Sequence, residues 1–200
     1  MKQLVLASQS PRRAEILQKA LYYFVSLPVY VSEIPNKNLS LNEQILDISK
    51  RKADACYKLL TDKGLDSSNS VILAADTMVC LDDRTFGKPE SDREAFDFLR
   101  TLSGQRHQVK TGVYLIEVAS GESSSLIEIT DVFFRPLSDQ EINSYVQTKE
   151  PLDKAGAYAI QGLGKKFVEK YVGDFNNVVG LPLQAIEKVF TIKKWDFQRL

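Results

Sequence analysis

Apolar residues along this chain follow two rhythms. Leu4–Ala7 and Val71–Ala75 are short continuous apolar runs, the pattern of parallel strands covered on both faces. Elsewhere apolar positions recur at three-and-four spacing, and those stretches open with helix-start signals. Three S-x-x-E capping boxes (Ser40–Glu43, Ser91–Glu94 and Ser138–Glu141) each precede such a pattern. The second pattern closes at Ser103-Gly104, where glycine suits a left-handed cap. Ser10-Pro11 marks another start, with serine as N-cap and proline at the first helical position, and Pro182 opens a last helix in the same way. His107–Val118 and Leu126–Phe134 read as two long strands joined by the polar turn Ala119–Ser125. No internal repeat, low-complexity tract or linker interrupts residues 1–200. Alternating strands and helices plus one antiparallel pair predict an α/β fold with a mixed β-sheet and flanking helices, in a single domain.

Composition narrows the function classes. The 200 residues are 44% hydrophobic and 26% charged, an ordinary globular balance with enough apolar material for a sizeable core. Formal net charge is zero and no basic stripe is present, so the pattern offers nothing to hold a nucleic-acid backbone or an anionic membrane. Any anion site must be local. The opening run Leu4–Ala7 is too short for a signal-peptide core, and no apolar run approaches the roughly 20 residues of a membrane span. Cys56 and Cys80 make no CxxC pair, which points to a reducing, cytoplasmic setting. With His107 as the one histidine, metal chemistry would be carboxylate chemistry with a hard cation.

Five segments carry candidate chemistry. The first, Leu4 to Arg13, is a strand, a polar loop and a helix start. Arg12 and Arg13 fall in the first helical turn, where a cation is disfavoured by roughly 0.3–1 kcal/mol unless an anion joins it. A polyphosphate would meet free N–H groups, hydroxyls and guanidinium forks there; solvated arginines, or arginines paired with Glu15, are the plainer reading. The second is Asp76-Thr77. A carboxylate just after a buried strand lies where open α/β sheets put their ligand crevice, and Asp76 could hold magnesium or accept a proton from water. An aspartate that merely ends a strand would look the same. Third, Lys52 falls in the apolar row Leu41, Ile45, Ile48, Cys56 and Leu59 of a helix from Leu41 to Leu60. It needs an acidic partner, a ligand or a route by which its ammonium snorkels to water. Fourth, Phe86-Gly87-Lys88-Pro89 presents Lys88 on a stiff turn, as many surface turns do. Fifth, the glycine-rich stretch Pro151–Gly164 lets backbone approach a ligand closely, and the Gln161 amide could read a base edge.

Gly164-Lys165-Lys166 lacks P-loop spacing, and G-x-G-x-x-G, G-x-S-x-G, H-E-x-x-H and EF-hand patterns are absent. His107, alternating within a strand, reads as structural or surface rather than as a general base.

Taken in order, LASQSPRRAEIL, VSEIP, Lys52-Ala53, AADTMVCLDD, GKPES, LSGQRHQVKTGV, FRPLSDQEI, PLDKAGAYAIQGLG and NVVGLPL resemble the Maf family of nucleotide pyrophosphatases, also called septum-formation inhibitor proteins. The set spans nearly the whole chain. The resemblance implies a bilobed α/β fold like that of inosine triphosphate pyrophosphatases, with the active cleft between lobes. It also implies cleavage between the α and β phosphates of a nucleoside triphosphate, giving the monophosphate and pyrophosphate. By position Asp76 matches the catalytic base, Ser8, Arg13, Lys52 and Lys88 match residues lining the phosphates, and Glu33 with Asp76 suits a divalent metal, Mg²⁺ or Mn²⁺. Arg12, Thr77 and Gln161 match the positions tied to base choice and look like the dTTP/UTP-preferring branch. Ile34-Pro35-Asn36 departs from the family, many of whose members carry further acidic residues there. Relatives often form homodimers. The competing implication, carried by the older family name, is a non-catalytic nucleotide-binding regulator of cell division.

Overall fold

The computed structural model of the chain describes residues 1–62 and 68–200. Among them, seven strands form one open sheet: β1 (Gln3–Leu6), β2 (Phe24–Ser26), β3 (Ser70–Leu81), β4 (Arg84–Phe86), β5 (Arg106–Glu117), β6 (Ser123–Phe134) and β7 (Val168–Val172). The order is β2-β1-β3-β5-β6-β7, with β4 added to β3. Six α-helices accompany it among the described residues: α1 (Pro11–Lys19), α2 (Leu41–Asp62), α3 (Asp92–Leu102), α4 (Asp139–Val146), α5 (Phe175–Val179) and α6 (Leu183–Ile192). The two continuous apolar runs are the parallel neighbours: β1 pairs with β3 from Gln3 opposite Ser70 to Leu6 opposite Leu73. β7 returns antiparallel to β6, so the sheet is mixed, as the alternation of elements predicts. No helix among the described residues is long and apolar enough to cross a membrane.

The boundaries correct one expectation. β3 does not end before Asp76 but runs through Asp76 and Thr77 to Leu81. The reason lies downstream: Met78, Val79 and Cys80 resume the buried apolar run, and Val79–Leu81 pair antiparallel with β4. The strand continues into a further ladder, and one aspartate with a β-favouring threonine does not break it. Helix starts follow the predicted signals more closely. The Ser138–Glu141 box is complete, whereas Glu94 turns its carboxylate to the Glu90 N–H and leaves Ser91 to cap alone. Ser10 occupies the N-cap position of α1 without capping through its hydroxyl. Gly104 takes the left-handed conformation after α3, at φ +69°.

The chain divides into two compact units, residues 1–76, 111–128 and 180–200 in one, and 77–110 and 129–179 in the other. The first unit packs α2 on the sheet through Ala53, Cys56 and Leu60, against Val5, Ile72, Ala74 and Ile116. Gly112 of β5 lets the helix approach closely, since a Cβ there would lie 2.7 Å from Ile45 Cγ2 and 3.2 Å from its backbone. The second unit has an aromatic core, in which Phe134 meets Tyr158 edge-on at 4.7 Å and Phe86 meets Phe98 at 5.2 Å. His107 joins it, buried, with Nε2 2.9 Å from the Tyr158 hydroxyl, so its role there is structural. Burial lowers its pKa to about 4. Both cysteines are buried free thiols.

Candidate active site

The site is built where the parallel pair β1 and β3 stops. Past Leu6, β1 leads through Ser8 into α1, and past Leu73, β3 carries Asp76. The Ser8 hydroxyl accepts the Ser10 N–H at 3.1 Å and Arg13 Nη1 at 3.2 Å. Arg13 also donates Nε to the Gly180 carbonyl at 2.8 Å. Only 8% exposed, Arg13 is not the solvated surface arginine that the sequence left open. Burial lowers its pKa, and the carboxylates of Asp76 and then Glu33 oppose that shift, while Arg12 adds to it. Asp76, Glu33, Arg12 and Arg13 therefore share one electrostatic neighbourhood.

Lys52 completes it. Nζ lies 2.7 Å from Asp76 Oδ1 and 2.6 Å from Glu33 Oε1. Lys52 is 7% exposed and Asp76 9%, so neither charge would be tolerated alone. The ammonium does not snorkel: it ends on two carboxylates inside the unit. Glu33 itself stands in irregular chain and is exposed, and it needs help to stay there. Arg51, beside Lys52 on α2, donates Nη1 to the Ser32 carbonyl and Nη2 to the Ile34 carbonyl at 3.1 Å, gripping the chain on both sides of Glu33. Sequence reasoning missed this arginine because its acceptors are main-chain atoms and leave no residue signature.

Arg13 and Lys52, with Arg12 in the same electrostatic neighbourhood, set cationic donors beside two carboxylates, an arrangement suited to a polyanion that arrives with a divalent ion. The donor set also bears on a metal. Among the described residues no group of three or more His, Cys, Asp or Glu converges, yet Mg²⁺ is commonly held by one or two carboxylates together with substrate phosphates. Glu33 and Asp76 fit an ion that comes with a phosphorylated ligand and do not fit a stand-alone cage.

The remaining predicted residues are placed as follows. Thr77, half-buried, follows Asp76 on β3. Lys88 and Gln161 are exposed and belong to the second unit. Lys88 follows β4 in irregular chain next to Gly87, whose carbonyl accepts the Gly156 N–H at 3.1 Å. Gln161 lies in a turn closed by the Gly162 N–H on the Ala159 carbonyl at 3.2 Å.

Comparison with known proteins adds identity to this geometry. The chain is 47% identical to the dTTP/UTP pyrophosphatase of Bdellovibrio bacteriovorus, over 94% of its own length and 97% of that protein's. It is 41% identical to the protein of the same name from Carboxydothermus hydrogenoformans, over 97% and 99%. A third, from Caldicellulosiruptor bescii, is 42% identical over 100% of this chain and 98% of its own. The family model described as Maf-like protein matches residues 3–192. With its motifs, its fold and its relatives all in agreement along nearly the whole chain, the protein belongs to the Maf-like family.

Proposed function

We propose that the protein hydrolyses dTTP and UTP to the nucleoside monophosphate and pyrophosphate, a house-cleaning reaction run in the cytoplasm with Mg²⁺ or Mn²⁺. The observation that carries this reading is the buried Lys52–Asp76 pair set beside Arg13 and Ser8 at the opening of α1, in a chain whose relatives bear the name dTTP/UTP pyrophosphatase.

In this reading these cationic side chains receive the triphosphate. Arg13, Lys52 and Lys88 donate to phosphate oxygens, and the Ser8 hydroxyl adds a further donor. When Lys52 turns a hydrogen to phosphate, Asp76 gains the oxygen that Nζ occupied, and it orients a water and accepts its proton. The water oxygen bonds to the α-phosphorus while the bond from that phosphorus to the bridging oxygen breaks, and the electron pair leaves with pyrophosphate. Glu33 and Asp76 would hold a divalent ion, which would supply neutralising charge to the phosphates. Positioning and electrostatics contribute most of the rate, since phosphoryl-type transfer needs little covalent help. Arg12, Thr77 and Gln161 choose the base, with the Gln161 amide pairing the O4 and N3–H edge of uracil or thymine.

The test is release of pyrophosphate by the purified protein from dTTP, UTP, CTP, ATP and GTP with Mg²⁺ or Mn²⁺, repeated with Asp76→Asn. The expected result is turnover of dTTP and UTP, reduced at least about 100-fold by the substitution. Binding without turnover would instead support a nucleotide-binding regulator of septum formation. Undiminished activity in Asp76→Asn would remove the base assignment.

A further inference from the structure

The Gln161 turn is held by a device of its own. Tyr145 of α4 has a fully buried ring, edge-on to Phe167 at 5.0 Å. Its hydroxyl donates to Glu150 Oε1 at 2.8 Å and accepts the Ala159 N–H at 3.2 Å. Glu150 in turn accepts the Leu163 N–H on Oε2 at 3.1 Å and the Gly164 N–H on Oε1 at 3.3 Å. The chain is thus gripped two residues before Gln161 and two residues after it, by one connected hydroxyl–carboxylate pair. The glycines of the stretch are shaped to this grip. A Cβ on Gly162 would lie 2.7 Å from Glu150 Cδ, and one on Gly164 would lie 2.8 Å from the Tyr145 hydroxyl. Burial, and then the bond to Glu150, raise the pKa of Tyr145, so the hydroxyl keeps the proton it donates.

Such a grip matters because a glutamine amide is ambidextrous. Rotated by half a turn, it exchanges donor for acceptor. Uracil offers an acceptor at O4 and a donor at N3, whereas cytosine offers the reverse at N4 and N3. An amide on a loose loop would follow either edge by moving its whole backbone, whereas a turn held on both sides fixes where the amide stands and leaves it only its own side-chain torsions to adjust. We propose that Glu150 and Tyr145 are positioning residues for base choice, fixing the turn that presents Gln161 and so setting the preference for uracil and thymine over cytosine. The inference rests on the reading of Gln161 as the base-contacting residue.

Two variants test it. Glu150→Gln replaces one accepting oxygen by an NH₂ that cannot accept from Leu163 or Gly164, and Tyr145→Phe removes the hydroxyl while keeping the ring. Steady-state kinetics with UTP and CTP give the ratio of kcat/KM for the two nucleotides, with thermal melting as the check on folding. Both variants are expected to lower the UTP-to-CTP ratio about tenfold, mainly through KM, with kcat for UTP within about twofold of wild type. Gln161→Ala is expected to lower the ratio at least as far, and adding Glu150→Gln to it should lower the ratio no further. If Gln161→Ala collapses the ratio while whichever of the two positioning variants folds leaves it unchanged, the positioning claim is overturned and the base contact stands. A uniform loss with both nucleotides overturns it likewise, as a merely structural role. If Gln161→Ala leaves the ratio intact, or the wild type turns over CTP as well as UTP, the underlying reading fails instead.

Discussion

Lys52 and Arg13 carry their charges into the first unit, and the residues that hold their counter-charges in place are as consequential as the charges. Arg51 touches neither, yet it fastens Ser32 and Ile34 and with them the Glu33 carboxylate that meets Lys52. Arg51→Ala should therefore raise the Mg²⁺ concentration needed for half-maximal turnover about tenfold, equivalent to about 1.4 kcal/mol. Arg51→Lys should recover part of that loss, and nucleotide-free melting temperature should hardly move; calorimetric Mg²⁺ titration in the presence of a non-hydrolysable UTP analogue reads the same effect without turnover. His107 supports a prediction of another kind. Its folded pKa is depressed to about 4 by burial, below the ordinary value of 6.5. Above pH 6.5 it is neutral folded or unfolded. As pH falls below that, the unfolded chain binds a proton that the folded chain refuses, so stability declines until the folded pKa is reached, by about 3 kcal/mol in all. Urea melts between pH 7 and pH 4 should show a steeper loss for wild type than for His107→Phe, whatever the offset between them at pH 7. Asp76, Lys52 and Arg13 were legible in the sequence because a charge in an apolar row or beside a helix start conflicts with its surroundings. Arg51 and Glu150 were not, since both act largely on main-chain N–H or C=O groups, which every residue possesses.

α2 is the element on which the site depends, because Lys52 lies seven residues, two turns, after Ile45 and so on the same face. Gly112 sets how closely that face meets β5. Gly112→Ala would force a methyl to 2.7 Å from Ile45 Cγ2 and 3.2 Å from its backbone. The side chain can rotate but the helix backbone can only move. The expected cost is about 1–3 kcal/mol of stability, measured by denaturant melts. It should come with a fall in kcat on UTP larger than that caused by an equally destabilising change in the second unit, such as truncating Phe98. Elements of this kind were readable because capping residues and apolar spacing are local signals: α2, α3, α4 and α6 begin within a residue of their predicted starts. The length of β3 was not readable. Asp76-Thr77 looks like a strand's end when taken locally, but β3 lies between β1 and β5 in the sheet, and Val79–Leu81 beyond it pair with β4. The carboxylate thus stands within a strand rather than in a loop.

At the scale of the whole molecule, the two compact units are not two stretches of chain. The boundary between them falls inside β3 after Asp76, inside β5 after Lys110 and inside β6 after Glu128, and once more after Val179. A domain that folds alone is normally continuous and joined by an exposed linker; here three of the sheet's strands contribute to both units. Unfolding either unit removes hydrogen-bonded strand residues from elements that the other requires, so loss of one should carry the other with it. The chain supplies a reporter for each, since its single tryptophan, Trp195, lies in the first unit and its single histidine, His107, in the second. Trp195 fluorescence and the His107 ring-proton resonances, followed through urea at pH 7, are expected to give the same midpoint and the same slope, as a two-state transition requires. Midpoints separated by more than about 0.5 M urea, at a slope of about 1–3 kcal/mol per molar, would mean that each unit has a stability of its own. The strand continuity that ties Asp76 to Thr77 would then not be what makes the molecule fold as one.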